Sequence, residues 1–150
     1  MDLGIGGKRA LVTCGSGGLG LSCCEALAAE GANLIIFARN PATLAKVRAR
    51  LEERHSVTVD VIAGEMGSPA DIEALARYAE ESGGVDILVL NTPRPPERMQ
   101  ALLDEIDPGR WTDAYQRQLQ GAIEVILNIA PIIAARGWGR VIGITATSVK

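Results

Sequence analysis

Five short apolar runs of strand length, the third alternating and ending apolar, are interleaved along this chain with longer amphipathic runs, and no other feature limits its fold as much. The short runs are residues 9–14 (RALVTC), 33–38 (NLIIFA), 57–63 (VTVDVIA), 85–91 (VDILVLN) and 140–147 (RVIGITAT). A strand that is apolar on both faces belongs to a parallel sheet covered on each side by helices. The intervening runs have helical spacing. Residues 18–30 carry Leu19, Cys23, Ala26 and Leu27 on one stripe, and Gly31 is placed to stop that helix. Residues 41–54 follow Asn40, a good N-cap, with Pro41 at the first helical position and Leu44, Val47 and Leu51 facing inward. A third helix starts at Ser68-Pro69, buries Ile72, Leu75, Ala76 and Ala79, and ends at Gly83-Gly84. A long helix over 111–135 places Leu119, Ala122, Ile126 and Ile129 on one side, with Pro131 positioned to kink it. The order βαβαβαβαβ predicts right-handed crossovers and a doubly wound sheet in a single domain spanning residues 1–150. The least regular stretch, 92–109, holds four prolines and one short expected helix over 97–105. It follows a strand and so lies on the side where such sheets bind ligands.

Composition narrows the function classes. The chain has 150 residues, 22% charged, with a formal net charge of −3. That balance argues against a nucleic-acid partner, which calls for a basic face. No apolar run reaches the ~18–20 residues that span a bilayer, and the first residues lack a secretory pattern, so the expectation is a cytoplasmic protein away from the membrane. Cys14, Cys23 and Cys24 make a poor disulfide framework, and the single histidine, His55, sits among helix-end charges, so no metal site is expected.

The chemistry concentrates at the first strand-to-helix turn, Thr13-Cys14-Gly15-Ser16-Gly17-Gly18-Leu19-Gly20. Gly15, Gly17 and Gly20 satisfy G-x-G-x-x-G in the context that motif requires, a strand before and a helix after. Such a loop turns tightly and lets its backbone approach a pyrophosphate, while the helix N-terminus supplies N–H groups and a positive field. A site for NAD normally places an acidic residue about 20 residues further on, for the ribose 2′-hydroxyl. Here the second strand ends in Phe37-Ala38-Arg39-Asn40. Arg39 could fork onto a 2′-phosphate, which favours NADP(H) over NAD(H). The same residue counts against an S-adenosylmethionine site, where an acidic residue would bind ribose hydroxyls.

These segments together resemble the short-chain dehydrogenases/reductases, nearest to the 3-oxoacyl-acyl-carrier-protein reductase-like members. Thr13–Gly20 looks like the family's T-G-x-x-x-G-x-G loop, and Ala38-Arg39-Asn40-Pro41 like the NADP-preferring second turn. Asp86-Ile87-Leu88-Val89-Leu90-Asn91-Thr92-Pro93 is similar to D-I-L-V-N-N-A-G, and Arg136-Gly137-Trp138-Gly139-Arg140-Val141-Ile142 to the approach to the fifth strand. The resemblance covers essentially the whole chain. It implies an α/β, Rossmann-type doubly wound parallel sheet, incomplete at its C-terminal side. It implies a cofactor site made of Thr13, Gly15, Ser16, Gly17, Gly18, Leu19, Gly20, Arg39, Asn40, Glu65, Met66, Asn91 and Ile144. In it Glu65 and Met66 lie beside the adenine, Asn91 near the adenine-side ribose and Ile144 near the nicotinamide. The implied activity is hydride transfer to or from a small-molecule carbonyl or alcohol in the complete enzyme. The alternative is a non-catalytic NADP(H)-binding sensor or scaffold.

The departures bear on catalysis. Cys14 stands at the first glycine of the family loop, Gln118 at its helix Asn, and Ala146 at its catalytic Ser. The family's Tyr-x-x-x-Lys would fall beyond Lys150, where the sequence ends. Reducing a carbonyl needs a proton donor for the developing alkoxide. Neither Tyr78 nor Tyr115 is followed by Lys four residues on, so no catalytic residue is assigned. The expectation is a portion of a longer enzyme, a short binding protein, or a chain that pairs with another. Residues 141–145 would form an exposed apolar edge, and Ile123, Val125, Leu127, Ile132 and Ile133 an exposed stripe on the long helix, through which a homo-oligomer could form.

Overall fold

The computed structural model describes residues 2–94 and 107–145. It contains β1 (Arg9–Thr13), α1 (Gly18–Ala29), β2 (Asn33–Ala38), α2 (Pro41–Arg54), β3 (Val59–Ala63), α3 (Pro69–Glu81), β4 (Ile87–Leu90), α4 (Pro108–Ala114), a π-helical turn (Tyr115–Gln120), α5 (Gly121–Ala135) and β5 (Arg140–Gly143). The five strands form one parallel sheet in the order β3-β2-β1-β4-β5. The sequence order reverses direction at β1, and ligands of open α/β sheets bind at that switch point. The short helix expected over 97–105 and the residue at the family's Ser position, Ala146, lie outside the described residues.

Alternation along the strands divides the core in two. Ala10, Val12, Leu34, Ile36, Ile87 and Val89 pack against α1 and α2, through Cys24, Ala28, Leu44, Val47 and Leu51. Leu11, Ile35, Phe37, Leu88 and Leu90 face the other way onto α3 and α5, through Ile72, Leu75, Ala79, Val125, Ile129 and Ile133. The helix ends follow local rules. Asn40 Oδ1 accepts from the Thr43 amide at 3.0 Å, and Ser68 Oγ from the Asp71 amide at 3.3 Å, each with Pro at the next position. Gly31 follows α1 with φ 79°, a left-handed position that suits glycine.

Two inward stripes differ from the expected ones. In α1 the buried residues are Gly20, Cys24 and Ala28, while Leu19 is 67% exposed. The glycine loop brings this helix so near the sheet that only small residues fit between. In the long helix the buried residues are Gly121, Val125, Ile129 and Ile133. Leu119 and Ile126 are exposed, whereas Val125 and Ile133, expected outside, are in the core. Both sets lie in α5 itself and share Ile129: the apolar surface of this helix is wider than its buried face, and docking on α3 and β4 selects the Gly121, Val125, Ile129 and Ile133 line. Only Leu119 lies in the π-helical turn, where the ladder widens by one residue. Pro131 lies within α5, which continues to Ala135.

Strand bounds also shift. β1 ends at Thr13, β3 begins at Val59, and β4 and β5 are shorter than expected. Val141 and Ile142 are about half exposed on β5, and no described strand pairs with its outer edge. The continuous helical run Pro108–Ala135 has 28 residues and is long and apolar enough to cross a membrane by length and composition, a test that the core helix of a globular fold also passes, although Arg110, Asp113, Arg117 and Glu124 interrupt its apolar character. In this fold the run packs on α3 and β4.

A polar cluster holds the N-terminal edge of the sheet, opposite the loop end. Asp86 is buried, accepts from the Arg9 amide at 2.8 Å and takes Arg136 Nε at 2.7 Å. Burial pushes the Asp86 carboxyl up, but the Arg136 hydrogen bond and the Arg9 amide outweigh it and hold the group below its ordinary value. Arg9 also reaches Asp60 at 2.5 Å, and Trp138 lies between the cations of Lys8 and Arg140, at 4.4 and 4.9 Å from the ring centre.

Candidate functional site

The C-terminal ends of β1 and β4 are tied by one side chain. Thr13 Oγ1 donates to the Asn91 carbonyl at 2.6 Å and accepts from the Asn91 amide at 2.9 Å. Thr13 is therefore buried and acts as a clamp that sets where the loop begins and where Asn91 stands.

The loop then turns through Cys14, which has φ 51°, the only non-glycine among the described residues with positive φ. A left-handed residue with a side chain costs about 1–2 kcal/mol, so surrounding contacts must hold it. They are close. A Cβ at Gly15 would stand 2.7 Å from Ile36 Cγ2, and one at Gly20 only 2.4 Å from the Cys14 carbonyl oxygen and 3.0 Å from Asn91 Nδ2. Gly15 and Gly20 are thus required for the helix to seat on the strand. Gly17 faces open space, and at Gly18 an added Cβ would meet no backbone, only the Arg94 guanidinium at 3.5 Å. Gly17 is the N-cap of α1, with no side-chain cap and no acidic residue in the first turn. The amides of this turn keep their capacity to bind an anion, and the helix field favours one.

These residues border a cavity of about 840 Å³. Its lining includes Ser16, Gly17, Gly18 and Leu19 from the first loop and α1, Arg39 and Asn40 from the end of β2, and Met66, Asn91 and Gln118. Of the remaining expected residues, Thr13, Gly15, Gly20, Glu65 and Ile144 are absent from the lining. Thr13, Gly15 and Gly20 shape the loop from behind. Ile144 extends the β4–β5 ladder, its amide donating to the Leu90 carbonyl at 2.9 Å. Glu65 is turned toward two arginines: Arg117 Nη1 lies 2.9 Å and Arg39 Nη1 3.9 Å from Glu65 Oε1.

The lining residues not assigned from the sequence include Arg94, Arg117 and Cys14. Arg94 follows Pro93, and its guanidinium lies 3.5 Å from where a Cβ at Gly18 would stand. Arg117 comes from the π-helical turn and pairs with Asp113 at 2.7 Å, one helical turn earlier. The (i, i+4) spacing made that pair visible, but the reach of Arg117 to Glu65 depends on how the long helix docks. Burial pushes the Cys14 thiol up to about 11, with Arg39 pulling the other way, so the group is a neutral thiol at ordinary pH.

The two tyrosines stand elsewhere. Tyr115 is exposed on the π-helical turn. Tyr78 lies beside Asp60 and Arg9 at the opposite edge of the sheet, its pKa raised by burial and by the Asp60 carboxylate. Among the described residues no group of three or more His, Cys, Asp or Glu side chains converges as metal ligands would.

The cavity at the C-terminal ends of β1, β2 and β4 thus brings together the uncapped N-terminus of α1 and the guanidinium of Arg39. The sequence profile described as short chain dehydrogenase matches residues 8–150. D-beta-hydroxybutyrate dehydrogenase of Cupriavidus necator is 33% identical over 144 residues, covering 95% of this chain and 54% of that protein. Among solved structures, L-sorbose reductase of Gluconobacter frateurii, complexed with NADPH and L-sorbose, superposes with a TM-score of 0.89 at 30% identity, covering 95% of this chain and 54% of that one. The 3-oxoacyl (acyl-carrier-protein) reductase of Agrobacterium tumefaciens with NADP bound gives 0.84 at 29% identity, with 95% and 54% covered. The chain spans about half the length of the curated relatives it matches. With its sequence matched from residue 8 onward and its parallel sheet superposing on theirs, this chain belongs to the short-chain dehydrogenase family.

Proposed function

We propose that this chain is the cofactor-binding portion of an NADP(H)-dependent oxidoreductase, in which a carbonyl or alcohol substrate exchanges hydride with the nicotinamide. The observation that carries the reading is the cavity itself, with the uncapped N-terminus of α1 beside Ser16, Gly17 and Gly18 and the exposed Arg39 at its end. The loop amides bind the pyrophosphate, with Arg94 beside them. Arg39 and Asn40 take the 2′-phosphate, since a guanidinium supplies a charged fork and no acidic side chain stands there to prefer a free hydroxyl. Met66 and Phe37 give apolar surface to the adenine, and Asn91 faces the adjoining ribose. When bound, the cofactor supplies hydride chemistry. The chain's own residues orient it, with Gln118 on the wall toward the reacting end. NADPH and NADP in two related structures support the phosphorylated cofactor. Residues 1–150 form one domain in this reading, working in the cytoplasm. Its long helix offers Ile123, Leu127 and Trp111 to a second copy.

Calorimetric titration with NADPH and NADH tests the proposal. NADPH should bind at least tenfold more tightly, and Arg39→Asp should abolish that preference by removing about 1.5–3 kcal/mol of charged hydrogen bonding. A folded chain that binds neither dinucleotide, or binds both equally, overturns it.

A further inference from the structure

Building on the reading of the cavity as an NADP(H) site, we infer that Arg117 sets the preference for the phosphorylated dinucleotide from the far side of the cavity, by keeping Glu65 paired and Arg39 free. Arg117 is a positioning residue here. Its partner is the Glu65 carboxylate, and the atom at issue is Oε1, which is closed off from solvent and accepts no hydrogen bond, so the Arg117 guanidinium beside it acts through its charge.

Two guanidiniums compete for that oxygen. Arg117 Nη1 lies 2.9 Å away, and Arg39 Nη1 lies 3.9 Å away. The nearer partner is also the better anchored. Arg117 Nε is 2.7 Å from Asp113 Oδ1, and its side chain lies over Gly67, where a Cβ would meet Arg117 Cγ at 3.1 Å. Arg39 is held by nothing comparable, and its side chain is 64% exposed. The pairing is therefore lopsided. Arg117 neutralises Glu65, and the charge of Arg39 remains for an incoming anion.

Removing Arg117 changes the balance in two ways. Among the described residues Glu65 is left with Arg39 as its nearby cation, so the guanidinium that should meet the 2′-phosphate is drawn onto a carboxylate. The group Arg39, Arg117, Glu65 and Asp113 also passes from neutral to net negative. Repulsion then acts on a phosphate dianion within a Debye length of these charges. NADH carries no phosphate at that ribose and escapes both effects.

The test is a double-mutant cycle on the full chain: wild type, Arg117→Gln, Glu65→Gln and the double variant. NADPH and NADH dissociation constants are measured for each, with thermal melts to confirm folding. Arg117→Gln should lower the NADPH-over-NADH ratio about tenfold. In the Glu65→Gln background the same change should move the ratio less than about twofold, because the carboxylate to be neutralised is gone. Arg117→Lys, which keeps a cation near Glu65, should restore most of the ratio. An unchanged ratio in Arg117→Gln overturns the inference, as does an equal loss in both backgrounds, which would mean direct contact with the phosphate or a general loosening. A wild-type chain without NADPH preference would instead overturn the cavity reading on which this rests, so the two failures are distinct.

Discussion

Gly121→Ala should destabilise the chain, although alanine is the better helix former. Gly121 opens α5 directly after the π-helical turn, at the point where the long helix crosses the loop beyond β3. A Cβ built there would lie 1.9 Å from the Met66 carbonyl oxygen, 2.8 Å from its carbonyl carbon and 3.2 Å from the Gln116 carbonyl oxygen. The first contact is well inside the ~3.5 Å at which non-bonded atoms attract. All three neighbours are backbone, so no side chain can swing aside, and the helix and the loop must separate by more than an ångström. Overpacking of this kind costs about 1–3 kcal/mol, and rigid backbone on both sides places this case at or above the upper end. Helix propensity returns about 1 kcal/mol. The net loss is about 2 kcal/mol or more, or a melting temperature lower by at least roughly 4–8 °C for a chain of this size. Gly143→Ala is the control, since a Cβ there meets nothing within 4 Å. Calorimetric melts of both variants decide the matter. Because Met66 lines the cavity, NADPH affinity should fall in Gly121→Ala as well. A melting temperature equal to or above wild type would refute the close approach of α5 to Met66.

Two further outcomes follow from the charged and thiol groups. The depressed Asp86 carboxyl contributes stability that is present above the ordinary value of 3.8 and is lost as pH falls from there through its lower native value. Asp86→Asn should cost about 2–3 kcal/mol at pH 7 and flatten that acid limb, as read from urea midpoints between pH 6 and 3; a parallel pH profile for the two proteins would sink the assignment. The Cys14 thiol, pushed up to about 11, should alkylate on the order of 100-fold more slowly in the folded chain at pH 8 than in urea, and more slowly still with NADPH bound. Mass-spectrometric labelling rates check this, and equal rates in folded and unfolded chains would contradict it.

The elements legible in the sequence were those whose signals are local. Asn40-Pro41 and Ser68-Pro69 mark helix starts because caps act within one turn, and the two-face apolar runs mark strands because both faces of this sheet are covered. The glycine loop was legible for the same reason. The inward face of the long helix was not, because α5 is apolar nearly all round, with Ile123, Ile126 and Leu127 exposed beside buried Val125 and Ile129, so only its docking on α3 and β4 decides which line is buried. Glu65 and Met66 were expected side by side in one role. The structure separates them, with Met66 on the cavity and Glu65 held by two arginines. That division depends on Arg117, which comes from an element 52 positions further along and meets Glu65 only through the fold.

The strand order also sets a timetable for synthesis. β1 is central, yet its two neighbours emerge from the ribosome at very different times. Ala10 meets Leu34 on one side and Ile87 on the other. The half-sheet β3-β2-β1 is complete once β3 is made, while the second edge of β1 waits through the whole of α3 for β4. During that interval Leu11 and Val12 present an apolar, unpaired margin. Once β4 is in place its own outer edge waits longer still, through α4 and α5, for β5, so a nascent chain of this design carries an unpaired apolar margin through both intervals and slow codons in either would prolong it.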